Sequence, residues 1–223
     1  MNTRVKKIGP VCSAALLLVA SVGAAEAGDL HALVRDQKGQ PVDNAVVLAL
    51  PADKRLIEAP KPTRNIVDQI NKEFVPLVKP VYVGSLVHFP NKDNIRHHVY
   101  SFSPTKKFEL PLYAGTAAAP VLFDKPGVVV LGCNIHDWMV GYIYVAETPF
   151  FAKTGPDGLA TIGNLPAGEY QLRVWHPDME QNEQATLKQS SLGAEPVTAE
   201  WLLSLKPVFS IPRPLRGQGA GYH

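Results

Sequence analysis

Apolar positions in this chain recur at every second residue in short runs, and beyond residue 27 no stretch keeps the 3.6-residue period of an amphipathic helix. Leu30, Ala32 and Val34 alternate with polar neighbours and predict a half-buried strand, closed by a turn at Asp36-Gln37-Lys38-Gly39. Ala45 to Leu50 is more continuously apolar and predicts a second strand. Pro51 to Arg64 carries three prolines and several charges, and reads as a linker with room for one helical turn.

From about Asn65 the texture changes. Phe74-Val75-Pro76 leads into Val78 to Val83, followed by Gly84 to Phe89, His97 to Phe102, Val128 to Leu131 and Gly141 to Val145. These runs predict a β-sandwich of roughly 85 residues, enough for one small core. After Thr148 a third texture begins, with turns at Gly155-Pro156-Asp157-Gly158 and Asn164 to Gly168 around a strand at Leu159 to Ile162. Tyr170, Leu172 and Val174 alternate on the next strand, and Val197, Ala199, Trp201, Leu203 and Leu205 on a later one. From Pro212 onward no apolar period remains, which predicts a frayed tail.

The fold class is therefore all-β. Two strands near the N-terminus cannot bury a core alone, so they are expected to complete a second small sandwich with residues 149–210, split around the middle one. The division expected is a signal peptide at 1–27, N-terminal strands and linker at 28–60, and the central domain at 61–148. The rest of the split sandwich follows at 149–210 and a flexible tail at 211–223.

Charge and cysteine count sharpen this. Arg4, Lys6 and Lys7, the apolar run Val11 to Val22 and the small-x-small site Ala25-Glu26-Ala27 have the form of a secretory signal. The run is too short for a permanent membrane helix, so export to a bacterial periplasm with no integral segment after cleavage is expected. Removing residues 1–27 takes Arg4, Lys6, Lys7 and Glu26 from the 22 basic and 20 acidic residues, leaving the two signs balanced. No basic stripe interleaves with aromatics, which argues against nucleic acid. Cys12 leaves with the signal, so Cys133 becomes the single mature cysteine.

A lone thiol in an oxidising compartment is either buried and inert, a metal ligand or a reactive nucleophile. Its neighbours favour metal. Cys133, His136 and Met139 follow one another at three-residue spacing in a loop between two expected strands, and His97-His98 offers a second imidazole upstream. Two His, one Cys and a weak axial Met form the donor set of a blue-copper electron-transfer site. Strand alternation allows only one of His97 and His98 to face inward. His31 and His88 read as ordinary surface or satisfied residues, His176 as structural and His223 as part of the tail. Asp137 reads as accepting from backbone amides in the turn, and Trp138 either shields the metal or lies in a partner's path.

The segment from about 65 to 147 resembles the cupredoxins, in their plastocyanin and amicyanin branch. The likeness rests on Phe74-Val75-Pro76, the Gly84 to Phe89 strand, His97 with Val99, and the loop Cys133 to Met139 ending in Gly141. It implies a Greek-key sandwich holding one type 1 copper through His97, Cys133, His136 and Met139. His97 is favoured over His98 because Val99 then matches the family's inward valine, leaving His98 as a second donor behind the ligands or a solvent-facing imidazole. More of the chain is similar to proteins labelled methylamine utilisation or plastocyanin-like. The flanks, at Val34 to Val42, Gly158 to Ile162 and Leu165 to Val174, resemble carboxypeptidase-regulatory-like (transthyretin-like) sandwiches.

These readings lead to a one-electron carrier that meets a dehydrogenase or a cytochrome c transiently. Copper binding or delivery, or a structural sandwich without electron transfer, are the alternatives. An enzyme is not expected, since no second His cluster, Ser-His-Asp, Walker or Cys-x-x-Cys pattern is present.

Overall fold

A computed structural model describes residues 27–57, 64–116 and 119–207; the expected signal segment up to residue 26 and the tail expected from residue 211 lie outside them. The strands, in chain order, are β1 (Ala27–Asp36), β2 (Val46–Pro51), β3 (Asn65–Ile66), β4 (Asp68–Ile70), β5 (Glu73–Val75) and β6 (Val78–Tyr82). There follow β7 (Ser85–His88), β8 (His97–Ser103), β9 (Lys106–Tyr113), β10 (Val121–Phe123), β11 (Gly127–Leu131) and β12 (Gly141–Ala146). The last five are β13 (Phe151–Lys153), β14 (Leu159–Pro166), β15 (Gly168–Trp175), β16 (Lys188–Leu192) and β17 (Val197–Leu203). Helix among the described residues is limited to 3-10 turns at Lys54–Leu56 and Glu183–Thr186. The protein is all-β, and no described helix is long and apolar enough to cross a membrane.

β1 lies between β14, antiparallel, and β17, parallel. β2 lies between β13 and β15, both antiparallel, and β16 extends that sheet. The two sheets face each other across Leu30, Ala32, Val34, Leu172, Val174 and Trp201, all buried. Strand period explains the selection: residues two apart share a face, so the alternating apolar positions of β1 and β17 meet those of β15. The turn expected at Asn164 to Gly168 is shorter than predicted. β14 continues to Pro166 because its pairing with β1 runs on to Ala27, past a register shift at Gly28/Leu30.

The strands from β3 to β12 enclose a second core of Val67, Phe74, Phe89, Val99, Leu131, Ile143 and neighbours. β12 pairs antiparallel with β11 and parallel with β6. Its even and odd residues go to different places. Ile143 and Val145 face this core, while Tyr144 and Ala146 face Val46, Leu48, Trp175 and Met179 in a third cluster between the two sandwiches. β2 behaves likewise, with Val47 and Ala49 turned to its own core. A strand buried on both faces loses the polar alternation of a solvent-facing one, which is why Ala45 to Leu50 reads as a continuous apolar run. Across the same junction Tyr144 donates to Glu183 Oε1 at 2.8 Å and Arg173 pairs with Glu147, while Arg173 also pairs with Glu183 on its own side.

Candidate metal centre

The centre sits where β8 begins and where β11 gives way to β12. Tyr100 and Gly132 exchange backbone hydrogen bonds, N–H to O at 3.1 Å and 3.0 Å in the two directions. That pair ties the strand carrying His97 to the start of the loop carrying Cys133. The loop turns back on itself where the Met139 amide donates to His136 O at 3.0 Å and the Val140 amide to Trp138 O at 3.1 Å. Its flanking glycines are required by packing. A Cβ on Gly132 would stand 2.7 Å from Cζ of Tyr100, and one on Gly141 would stand 2.8 Å from Cβ of Phe74. The second contact gives a physical reason for Phe74 to accompany this loop.

The structure brings His97, Cys133 and His136 together. One ligand atom from each lies within 4.8 Å of the others, and all three residues are buried. Cys133 Sγ is 3.9 Å from His97 Nδ1, and the rings of His97 and His136 have centroids 5.1 Å apart. Met139 is 1% exposed and packs in the same apolar cluster as Cys133 and Val99. Trp138 lies with its ring centroid 5.0 Å from that of His136, while Asp137 is exposed.

His98 is outside this group. β8 has a register shift between His97 and Val99, and both imidazoles are buried, at 0% and 5% exposure. The two rings leave the strand toward different surroundings. His98 Nε2 donates to Glu109 Oε1 at 2.9 Å, and its ring lines a hollow with Leu112, Asn134 and Ile135. A solvent-facing His98 is therefore corrected: the far side of the strand is covered by Glu109 and by the ligand loop itself. Of the other histidines, His31 is exposed and bonded to Thr161, His88 is half-buried, and His176 is buried with Nδ1 accepting from the Asp178 amide at 3.1 Å.

Asp93, which the sequence reading passed over, completes the arrangement. Its Oδ2 accepts from His97 Nε2 at 2.7 Å and from the Lys72 amide at 2.8 Å. Its Oδ1 accepts from the Asn71 amide at 2.7 Å. Asn71 and Lys72 form the two-residue turn between β4 and β5, with φ of 55° and 62°. One carboxylate thus anchors a hairpin tip and a buried imidazole. The signal was available in the sequence: a histidine that ligates metal usually donates its other ring N–H to a carboxylate or carbonyl, and an aspartate precedes His97 by four residues.

The charges agree with this. Burial opposes the ionised form of Asp93, but the Lys72 amide, the His97 ring and the Asn71 amide together hold its carboxyl below the usual range. An ionised carboxylate only accepts, so His97 Nε2 carries a proton and donates to it, while Nδ1 faces Cys133 Sγ. Burial first, then the charges of His97 and Lys72, push His136 below its ordinary value against the pull of Asp93, which keeps it neutral at pH 7. Nearby, burial raises Tyr113 to about 12, with Gln69 opposing and Cys133 adding to the rise.

These residues fit a transition-metal ion. His136 Nδ1 is buried with no hydrogen-bond partner among the described residues, an omission that costs ~1–3 kcal/mol when nothing meets the atom. The Nδ1 of His98 is likewise unmet, but its ring stands outside the group. A thiol, two buried imidazoles and a buried thioether nearby are soft and borderline donors suited to copper.

No family model and no curated protein sequence matches the chain. Among solved structures it is similar to a Cu-containing nitrite reductase from Thermus scotoductus SA-01, with 29% identity over 40% of this chain and 24% of that one, at a TM-score of 0.37. It is also similar to a purple cupredoxin from Nitrosopumilus maritimus, with 25% identity over 36% of this chain and 96% of that one, at a TM-score of 0.32. A reduced amicyanin variant shares 20% identity over 44% of this chain and 99% of its own, at a TM-score of 0.34. The chain spans about a quarter of the nitrite reductase's length.

Proposed function

We propose that this protein is an exported type 1 copper protein that carries single electrons between redox proteins in the periplasm, rather than an enzyme. The observation that carries the reading is the convergence of His97, Cys133 and His136, with ligand atoms within 4.8 Å of one another in a buried pocket. Copper bound there would supply a Cu(I)/Cu(II) couple.

The chain's own residues supply the rest. Cys133 as thiolate would be a soft donor that suits both oxidation states, and Met139 would add a weak thioether donor. Asp93 fixes the tautomer and plane of His97. The backbone pair between Tyr100 and Gly132 holds the two ligand-bearing segments in one geometry, and a rigid donor set moves little when the charge on its ion changes. Trp138 covers one side of His136. Partners would be a dehydrogenase or a cytochrome c, met through small, short-lived interfaces.

Titration of the purified protein with Cu(II) tests the reading. An intense visible absorption is expected, lost in Cys133→Ala and in His97→Ala and retained in His98→Gln. A colourless product, or colour that survives Cys133→Ala, overturns it.

A further inference from the structure

We propose that the cleft between the two sandwiches is a binding site for an organic anion, a single anionic group on an apolar body, held by Lys79 and Lys153. This site is separate from the copper centre and does not depend on the reading given for it.

The cleft has a volume of about 970 Å³, at the upper end of the ~300–1,000 Å³ typical of small-molecule sites. Its floor and walls come from two strands that are each at the edge of a sheet. β6 is paired only on its β12 side and β13 only on its β2 side. Tyr82, Pro80 and Phe150 give the walls an apolar and aromatic character.

Among the described residues the charge in the cleft has one sign: Lys79, Lys153 and Arg64 line it, and no described aspartate or glutamate does. Lys79 is half-buried on β6, and among the described residues its amine has neither a hydrogen bond nor a carboxylate partner. Lys153 Nζ donates to Asn44 Oδ1 at 2.5 Å, a neutral acceptor that leaves its charge uncompensated. Burial first, and then the nearness of Lys153, push the Lys79 amine below its ordinary value, as expected for two cations facing the same space without a counter-ion.

Two like charges on rigid strands beside an apolar wall are costly when empty and favourable around an anion. A carboxylate, sulfonate or phosphate oxygen would accept from both amines, each a charge-assisted bond in a partly desolvated place. The apolar wall would take the body of the ligand. A bare inorganic anion would use only half of this, and a cation of the same shape would be repelled.

The test uses the full metal-free chain and anilinonaphthalene sulfonate, followed by its fluorescence. Saturable binding is expected, displaced by decanoate and not by decylammonium, and weakened roughly tenfold in Lys79→Gln and in Lys153→Gln, the weight of one charge-assisted bond. Lys79→Arg, which keeps the charge, should retain it. Thermal melting of each variant checks that the fold is intact, and Lys153→Gln, on a strand end, serves if Lys79→Gln melts early. Three results would overturn the proposal: no saturable binding at millimolar probe, displacement by decylammonium as effective as by decanoate, or affinity unchanged when both lysines are replaced.

Discussion

Asp93 Oδ2 accepts the Nε2 proton of His97 at 2.7 Å, and the same oxygen accepts the Lys72 amide at 2.8 Å. A buried imidazole at the candidate metal centre is therefore oriented by a carboxylate whose other hydrogen bonds go to the β4–β5 turn. Replacing Asp93 by Ala is expected to weaken copper binding by ~10–100-fold, the usual effect of losing the group behind a ligand. Removing its negative charge should also raise the reduction potential. Chelator competition and voltammetry read the two effects, and Asp93→Asn separates them, since it keeps a polar group of the same size without the charge.

Gly132 is expected to tolerate no side chain while Tyr100 is in place. In Gly132→Ala the new methyl would meet the Tyr100 ring at 2.7 Å, and overpacking of this kind costs ~1–3 kcal/mol. Chemical denaturation should show that loss, and most of it should disappear in Gly132→Ala combined with Tyr100→Ala. Two independent, additive losses would show that the ring is not what excludes the methyl.

Acid should destabilise the metal-free protein beginning near neutrality. Burial lowers His176 from its ordinary 6.5, with Asp178 and Asp43 opposing, and its Nδ1 must be unprotonated to accept the Asp178 amide. Above pH 6.5 the ring is neutral whether the chain is folded or not. As pH falls through 6.5 the unfolded chain takes up the proton first, so stability declines until the folded value is passed. His136, lowered in the same direction, adds to the slope. Melting temperatures between pH 8 and pH 5 should fall, and fall less steeply in His176→Gln. An unchanged slope in that variant would contradict the assignment.

Leu48 couples the two sandwiches. It is fully buried in the cluster with Tyr144 and Trp175, so Leu48→Ala should cost ~2–5 kcal/mol. The copper absorption should remain, since none of the ligand residues touches this cluster. Calorimetry on the variant reports the loss, and a melting temperature equal to that of the parent would show that the junction contributes nothing to stability.

Period-two alternation made β1, β17 and the first part of β15 legible, because there one face lies on a core and the other is more open. β11 and β12 were placed to within a residue, at Gly127–Leu131 and Gly141–Ala146, bounded by turn residues of the Cys133 loop. What β2 and β12 do was not legible, since a continuous apolar run says that both faces are covered without saying by what. The choice between His97 and His98 depends on a register shift that no side-chain pattern reveals, and with it both rings become buried. Asp93 was half legible: its place four residues before His97 marked it as a partner for that ring, whereas its hold on the Asn71–Lys72 turn, 21 residues upstream of it, left no local mark. The parallel pairing of β1 with β17 joins residues more than 160 positions apart, beyond any local signal.

That last pairing bears on how the molecule is made. β1 occupies residues 27–36, yet its neighbour β17 follows only at residues 197–203, after all the copper-ligand candidates have emerged. Long-range parallel contacts form slowly compared with local hairpins, so the inner sandwich can mature and capture its ion while the outer one still waits for its closing strand. Loss of β17 should leave β1 as an unprotected sticky edge, which makes late truncations an aggregation hazard rather than a mild defect.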